Sequence, residues 1–445
     1  LNQDARASIR ERRRCERRWK SSKSEADRRV YRTVCRRTNK LIQESKRLYS
    51  VSRLDEAGSN ARMRWSVVKD VLHSTTPVEL LSEADSQHLS EGFSTFFINK
   101  VNNIKSSISS ALSNRPLDPH AHDVRHTGDS LSDLSAVTAD EVRRILRDMP
   151  AKSSPLDILP TSLLKTCADE FAPLVAHLAS LSFAQGQFPS VYKHAVVKPL
   201  LKKPGLDRDE FANFRPISNL NTISKILERL FLVRILPHVS RSPGFSRVQS
   251  AYRRFFSTET ALIKLMNDVY LASGAKKLTA LVSLDISAAF DTIDRSILMK
   301  RLELSFGLSG TVKNWLQSYL TNRSQSVRAG CSESVHATCD CGVPQGSVLG
   351  PLLFVLYVAP VPTVAQKFDI NCYQYADDTQ LVISFDSTDC PTKLALLADC
   401  TNSLHDWFLS NGMALNPSKS ETILLGTSAK RRTFPVPNHV VVAGT

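Results

Sequence analysis

Two hydrophobic rhythms share this chain. Around Tyr375-Ala376-Asp377-Asp378 the period is two: Leu381, Ile383 and Phe385 alternate with Gln380, Val382 and Ser384, the spacing of a half-buried strand, and Ile370 to Tyr375 supplies the other arm of a hairpin. Leu278 to Asp285 reads as a buried strand, with further strands over Ala195 to Leu201 and Glu421 to Leu425. Elsewhere apolar residues recur three and four apart. Leu163, Leu164, Phe171, Leu174, Leu178 and Leu181 mark a core helix, and Ile223 to Leu236 an amphipathic one. More helices are expected near Ala289 to Leu302, Val312 to Leu320 and Leu394 to Leu409, the last closed by Asn411-Gly412. Thr138 and Glu141 form a capping box for a short helix that Pro150 ends. A glycine-bearing loop, Gly342-Val343-Pro344-Gln345-Gly346-Ser347, leads into an apolar helix reaching Tyr357. No internal repeat is visible, and the mixture indicates an α+β fold.

The upstream third is different. Residues 5–50 carry only a thin apolar stripe (Trp19, Val30, Tyr31, Leu41, Ile42, Leu48), as in long polar helices that need a partner surface. A helical patch follows near Phe93 to Leu112, and Pro116 to Ser135 has the composition of a linker. These shifts divide the chain into a basic helical region over 1–115, a linker over 116–135 and a compact domain over 136–445, with its core at about 190–445.

Charge sharpens the picture. The 445 residues carry a formal +15, and residues 1–50 alone hold 17 Lys and Arg against 6 Asp and Glu. A basic run is commonly a solvated helix face; it also suits a nucleic-acid backbone, with binding that weakens as salt rises. Nine cysteines include no Cys-x-x-Cys pair, and Cys339 and Cys341 lack partners at zinc spacing, which points to a reduced, intracellular protein that is not secreted. With no run of 18 apolar residues and no hydrophobic signal region, no membrane partner is expected. A start at Leu1, and an end at Thr445 soon after the strand-like Val440-Val441-Val442, suggest a fragment of a longer product.

The chemistry concentrates in acids. Asp377 and Asp378 stand at the hairpin tip, and Asp285 ends the buried strand. Adjacent carboxylates in a partly buried turn repel one another and call for a compensating cation. Oxygen ligands without a neighbouring histidine or thiolate favour Mg²⁺. Strand-Asp-helix, then Pro-Gln-Gly-Ser into a helix, then strand-Tyr-Ala-Asp-Asp-strand is an order that fits nucleotidyl transfer. The strand-turn-return at Lys202-Lys203-Pro204-Gly205 brings Lys203 and Arg215 near one another, with Lys198 and Lys202 as competing cations.

Three runs carry a family resemblance: Leu284-Asp285-Ile286-Ser287-Ala288-Ala289-Phe290-Asp291, Gly342 through Phe354, and Tyr375-Ala376-Asp377-Asp378. Together with Phe214-Arg215-Pro216-Ile217-Ser218-Asn219-Leu220 and Ser257-Thr258-Glu259-Thr260-Ala261-Leu262, they resemble the reverse transcriptase of LINE-type (non-LTR) retrotransposons, in the jockey-like branch, over about residues 150–445. The resemblance implies a right-hand polymerase with fingers and palm, an antiparallel palm sheet and basic helices ahead of it. Its thumb would be largely absent, and no endonuclease is present in these residues.

By the same resemblance, Asp285 and Asp377 bind two Mg²⁺ ions, or Mn²⁺, with the carbonyl of Ile286 completing the nucleotide-bound ion and Asp378 in support. Lys203 and Arg215 hold the triphosphate, Phe290 excludes a ribose 2′-hydroxyl, and Gln345 and Gly346 approach the base pair. Lys419 is the residue that protonates pyrophosphate, or else a surface lysine after Pro417-Ser418. The partners implied are an RNA template, a DNA primer or nicked target DNA, and deoxynucleoside triphosphates, in a nuclear and cytoplasmic ribonucleoprotein. Phe256 departs from the family's usual polar residue. A second reading is a catalytically impaired retroelement fragment that only binds RNA.

Overall fold

The computed structural model describes residues 3–58, 63–64, 83–113, 115–152, 154–427 and 430. The chain divides into two compact units, Leu1–Leu80 and Leu81–Thr445. Val440 to Val442, expected as a strand, lies outside the described residues.

The first unit is a helical hairpin, α1 (Gln3–Ser22) and α2 (Glu25–Glu56). Lys23 takes a left-handed φ of 48° at the bend, and Ser24 caps α2 by accepting from the Ala26 N–H. The seam between the helices is made of small residues, with Ser8 and Thr38 hydroxyls 2.8 Å apart, while Trp19 stacks on Tyr31 at 5.4 Å. Arg and Lys occupy the outer faces, as the thin apolar stripe requires.

The second unit begins with α3 (Glu83–Leu112), α4 (Ala139–Asp148), α5 (Thr161–Thr166) and α6 (Ala168–Ala184). The capping box at α4 forms: Thr138 Oγ1 accepts from the Glu141 N–H, and Glu141 accepts from the Thr138 N–H. In α5 and α6 the expected leucine face is met in part: Leu164 is buried and Phe171 packs on the core, while Leu163, Leu174 and Leu181 are exposed. Ala168, Ala172, Val175, Ala176, Ala179 and Phe183 face the core instead. Small side chains let α6 lie close to Trp315, which donates to Ser182 Oγ at 2.9 Å and meets Phe183 edge-on.

Two sheets follow. In the first, β1 (His194–Leu201) pairs antiparallel with β2 (Phe214–Asn219) and parallel with β4 (Arg323–Ala329), which also carries β5 (Ser332–Glu333) and β6 (Ala337–Cys339). The second is antiparallel throughout, in the order β7-β8-β3-β9, from Asn371–Tyr375, Asp378–Phe385, Leu278–Leu284 and Glu421–Leu425. The hairpin and the buried strand therefore sit side by side, as their periodicities require. Helices α7 (Thr222–Val239), α8 (Thr258–Gly274), α9 (Arg295–Phe306), α10 (Gly310–Leu320), α11 (Gly350–Tyr357), α12 (Val361–Gln366) and α13 (Cys390–Ser410) complete the unit. Most of its buried residues form one core, where Phe231 stacks on Trp315 at 4.1 Å. No helix among the described residues is long and apolar enough to cross a membrane.

Two expectations need revision. A helix was expected from about Ala289, but α9 starts at Arg295, because Asp294 caps it by accepting from Ser296 and Ile297 N–H groups. Residues 287–292 make turns and a bend instead, with Ala288 at a φ of 49°. Residues 116–135, whose composition reads as a linker, lie as a strap on α9 and its C-terminal end. His126 N–H donates to Leu304 O at 2.8 Å and Leu131 N–H to Gly307 O at 2.9 Å. Buried Arg301 donates to Asp123 at 2.8 Å, Pro119 O at 2.8 Å and Asn411 Oδ1 at 2.7 Å. Polar composition here serves buried pairing rather than solvent exposure.

Candidate active site

The second sheet gathers the acids at one end. Its register pairs Leu284 with Thr379 and Tyr375 with Asp378, so β3 delivers Asp285 to the edge where Ala376 and Asp377 form a two-residue turn. Ala376 has a φ of 56°, a left-handed conformation that its Cβ makes costly. Gln249, fully buried, holds this residue from both sides. Its Oε1 accepts from the N–H groups of Ala376 at 2.9 Å and Ala251 at 3.0 Å, and its Nε2 donates to Ala376 O at 3.2 Å. No spacing between Arg247 and Ala251 marked this residue in the sequence.

Beyond β3 the chain of Asp285 is tied to residues 414–420. Asn416 N–H donates to Asp285 O at 2.8 Å and Ser287 N–H to Ala414 O at 2.9 Å. These bonds form the bridge between Ile286 and Leu415 without consuming the carbonyl of Ile286. The same tie positions Lys419, whose Nζ lies 3.7 Å from Asp285 Oδ2.

Burial, then Asp377 and then Asp285, raise the Asp378 carboxyl above its ordinary range. The three aspartates do not close on one another: the only trio of His, Cys or acidic groups among the described residues with donor atoms all within 4.8 Å lies on the first sheet. Mutual repulsion and an oxygen-only donor set are what a hard divalent cation would relieve, so the residues fit Mg²⁺ or Mn²⁺.

Cations face these acids from the first sheet. Leu200 pairs with Arg215 and Leu201 with Phe214 at the β1–β2 turn. Lys202 donates to Ala212 O at 2.6 Å, and its pKa is lowered by burial and then by Lys100, Lys419 and Arg215, against the pull of Asp285. The field of Asp285 reaches Lys202, one of the competing cations beside Lys203; Lys198, Lys202, Lys203 and Arg215 are all exposed. Lys100, on α3, was missed altogether because its helix reads as part of the upstream region.

The Pro-Gln-Gly loop closes the arrangement. Ser218 N–H on β2 donates to Gln345 O at 2.8 Å, and a Cβ on Gly346, whose φ is 124°, would meet Ser218 O at 2.5 Å. The buried Oε1 of Gln345 has no hydrogen-bond partner among the described residues. Glu228, buried on α7, anchors the next turn, accepting from the Val348 N–H at 2.7 Å, the Leu349 N–H at 3.0 Å and the Tyr319 hydroxyl at 3.1 Å. Phe290 is half-buried, stacked on Phe354 at 4.7 Å. Phe256 is partly exposed beneath the Arg253 guanidinium, 4.3 Å from the ring centroid.

Comparison with known proteins accords with this geometry. Residues 201–436 match the family model for reverse transcriptase (RNA-dependent DNA polymerase). The chain belongs to the reverse transcriptase family. It is 26% identical over 296 residues to the RNA-directed DNA polymerase from mobile element jockey of Drosophila melanogaster, covering 65% of this chain and 32% of that protein. Similarity to the probable RNA-directed DNA polymerase from transposon X-element of the same species is 28% over 293 residues, covering 65% and 32%. For the Pol polyprotein from type-1 retrotransposable element R2 of Popillia japonica it is 26% over 268 residues, covering 57% and 35%. The chain thus spans about a third of the length of these relatives. Reverse transcriptases use divalent metal ions, RNA templates, primers and nucleotides. The non-LTR resemblance read from the sequence stands.

Proposed function

We propose that this chain is the polymerase portion of a jockey-like non-LTR retrotransposon protein, adding deoxynucleotides to a DNA primer 3′-hydroxyl on an RNA template. The primer would be free or the end of a nicked target strand. The observation that carries the reading is the register of β3, β7 and β8, which delivers Asp285, Asp377 and Asp378 to the same end of one sheet.

In this reading the β7-β8-β3-β9 sheet is the palm and the β2-β1-β4 sheet belongs to the fingers. Residues 136–445 make the catalytic domain, while the basic helices within 1–115 grip nucleic acid, in a nuclear and cytoplasmic ribonucleoprotein. Asp285 and Asp377, supported by Asp378 and the Ile286 carbonyl, would hold two Mg²⁺ or Mn²⁺ ions. Ions there acidify the primer hydroxyl and neutralise charge at phosphorus.

The chain's own groups do the rest. Arg215 presents a planar fork and Lys203, with Lys202 behind it, point charges to the triphosphate. Gln345 supplies its unpaired oxygen to the incoming base pair or template, and Gly346 keeps the backbone within reach of it. Phe290, braced on Phe354, fills the space a 2′-hydroxyl would need. Lys419, beside Asp285, is placed to give its proton to the leaving pyrophosphate.

The test is primer extension on an RNA template with deoxynucleotides and Mg²⁺. Asp377→Asn abolishes synthesis while RNA retention persists; synthesis by that variant at the wild-type rate would overturn the assignment.

A further inference from the structure

One cluster on the first sheet has no place in polymerisation. His194 opens β1, Glu333 ends β5 and His336 precedes β6, and one donor atom from each lies within 4.8 Å of the others. The sheet register explains the meeting. β4 pairs Ser324 with His194 on one side and Gln325 with Ala337 on the other, and its hairpin to β5 pairs Arg328 with Glu333.

Hydrogen bonds within the sheet hold two of the three donors. Ser324 and Ser326 hydroxyls sit 2.9 and 3.1 Å from the two nitrogens of His194. Ser326 gives its hydrogen to Glu333, so it accepts from Nε2 of His194 and leaves Nδ1, beside Ser324, to present the lone pair. Ser326 and Arg328 orient Glu333 from behind. His336 is exposed, stacks on His194 at 4.2 Å, and lines a cavity of about 610 Å³ with Ser324 and Ala337.

We propose that His194, Glu333 and His336 bind a divalent transition ion of the zinc type, with the remaining position open to water. Two imidazoles and one carboxylate are a donor set that suits zinc and disfavours magnesium. Such an ion clips the β5–β6 turn to the start of β1, the strand that leads to Lys202 and Lys203. The proposal is independent of the polymerase assignment.

The experiment titrates Co²⁺ and Zn²⁺ into the metal-stripped full chain, in excess Mg²⁺ to occupy the aspartate site, and repeats this for His336→Ala and Glu333→Gln. Wild type is expected to take up one ion, with the visible absorption of four-coordinate Co²⁺ and a higher thermal midpoint in Zn²⁺. Each variant is expected to bind about tenfold more weakly or worse, and to lose the thermal shift. Because His336 is exposed, its replacement leaves folding intact. Equal binding by wild type and both variants assigns uptake to the cysteines and overturns the proposal, as does no binding by wild type.

Discussion

Replacing Gln249 with leucine should slow catalysis without touching any group that meets substrate. The side chain makes three hydrogen bonds, two of them to the N–H and the carbonyl of Ala376, on either side of the residue that shapes the Ala376-Asp377 turn. Leucine keeps most of the volume and leaves those backbone groups buried without partners, at about 1–3 kcal/mol each before relaxation. Ala376 also bears about 1–2 kcal/mol for its left-handed conformation, which the clamp now offsets. Without it the turn relaxes, and restoring it for each addition at about 2 kcal/mol lowers kcat roughly 30-fold. Single-turnover primer extension measures this, with thermal unfolding run alongside to exclude loss of the fold. Ala376→Gly in the Gln249→Leu background removes the backbone penalty and should recover about fivefold, roughly 1 kcal/mol. A kcat within twofold of wild type for Gln249→Leu, or no recovery with glycine, would refute the clamp.

Other outcomes follow from the same geometry. Burial raises the Asp291 carboxyl to about 6, with Lys100 opposing. A raised folded pKa favours the native state only below the unfolded value near 4, and that contribution fades as pH rises through 6. Asp291→Asn should therefore stabilise the protein at pH 7 by on the order of 1 kcal/mol after solvent screening, and flatten the unfolding midpoint between pH 4 and 6. Arg301→Met leaves the buried Asp123 carboxylate with His120 as its remaining partner and should lower stability by about 3–5 kcal/mol in urea titration. Phe290→Val should admit ribonucleotides in primer extension, and unchanged discrimination would return Phe290 to a packing role.

How far the sequence reached follows the range of the interactions. The hairpin around Asp377 and Asp378 was legible because a period of two and a two-residue turn are local signals, and the partner strand ending at Asp285 was legible from its unbroken apolar run. Gln249 and Lys100 were not, since each acts on residues far along the chain and neither disturbs its local pattern. Leu163, Leu174 and Leu181 misled for a related reason: helical spacing gives a face, but the size of the neighbour decides whether leucine or alanine fills it. The start of α9 was misplaced because Asp294 outweighs the helix-favouring Ala288-Ala289.

The strap across α9 bears on where this molecule can be cut. An expression boundary drawn at residue 136, by composition, would remove Asp123 and the Pro119 carbonyl and leave the Arg301 guanidinium facing Asn411 and Tyr357 alone. It would also discard α3, and with it the Lys100 charge felt at Lys202. The smallest piece that keeps these interactions starts no later than α3, so the catalytic module recruits chain that its motifs never announce.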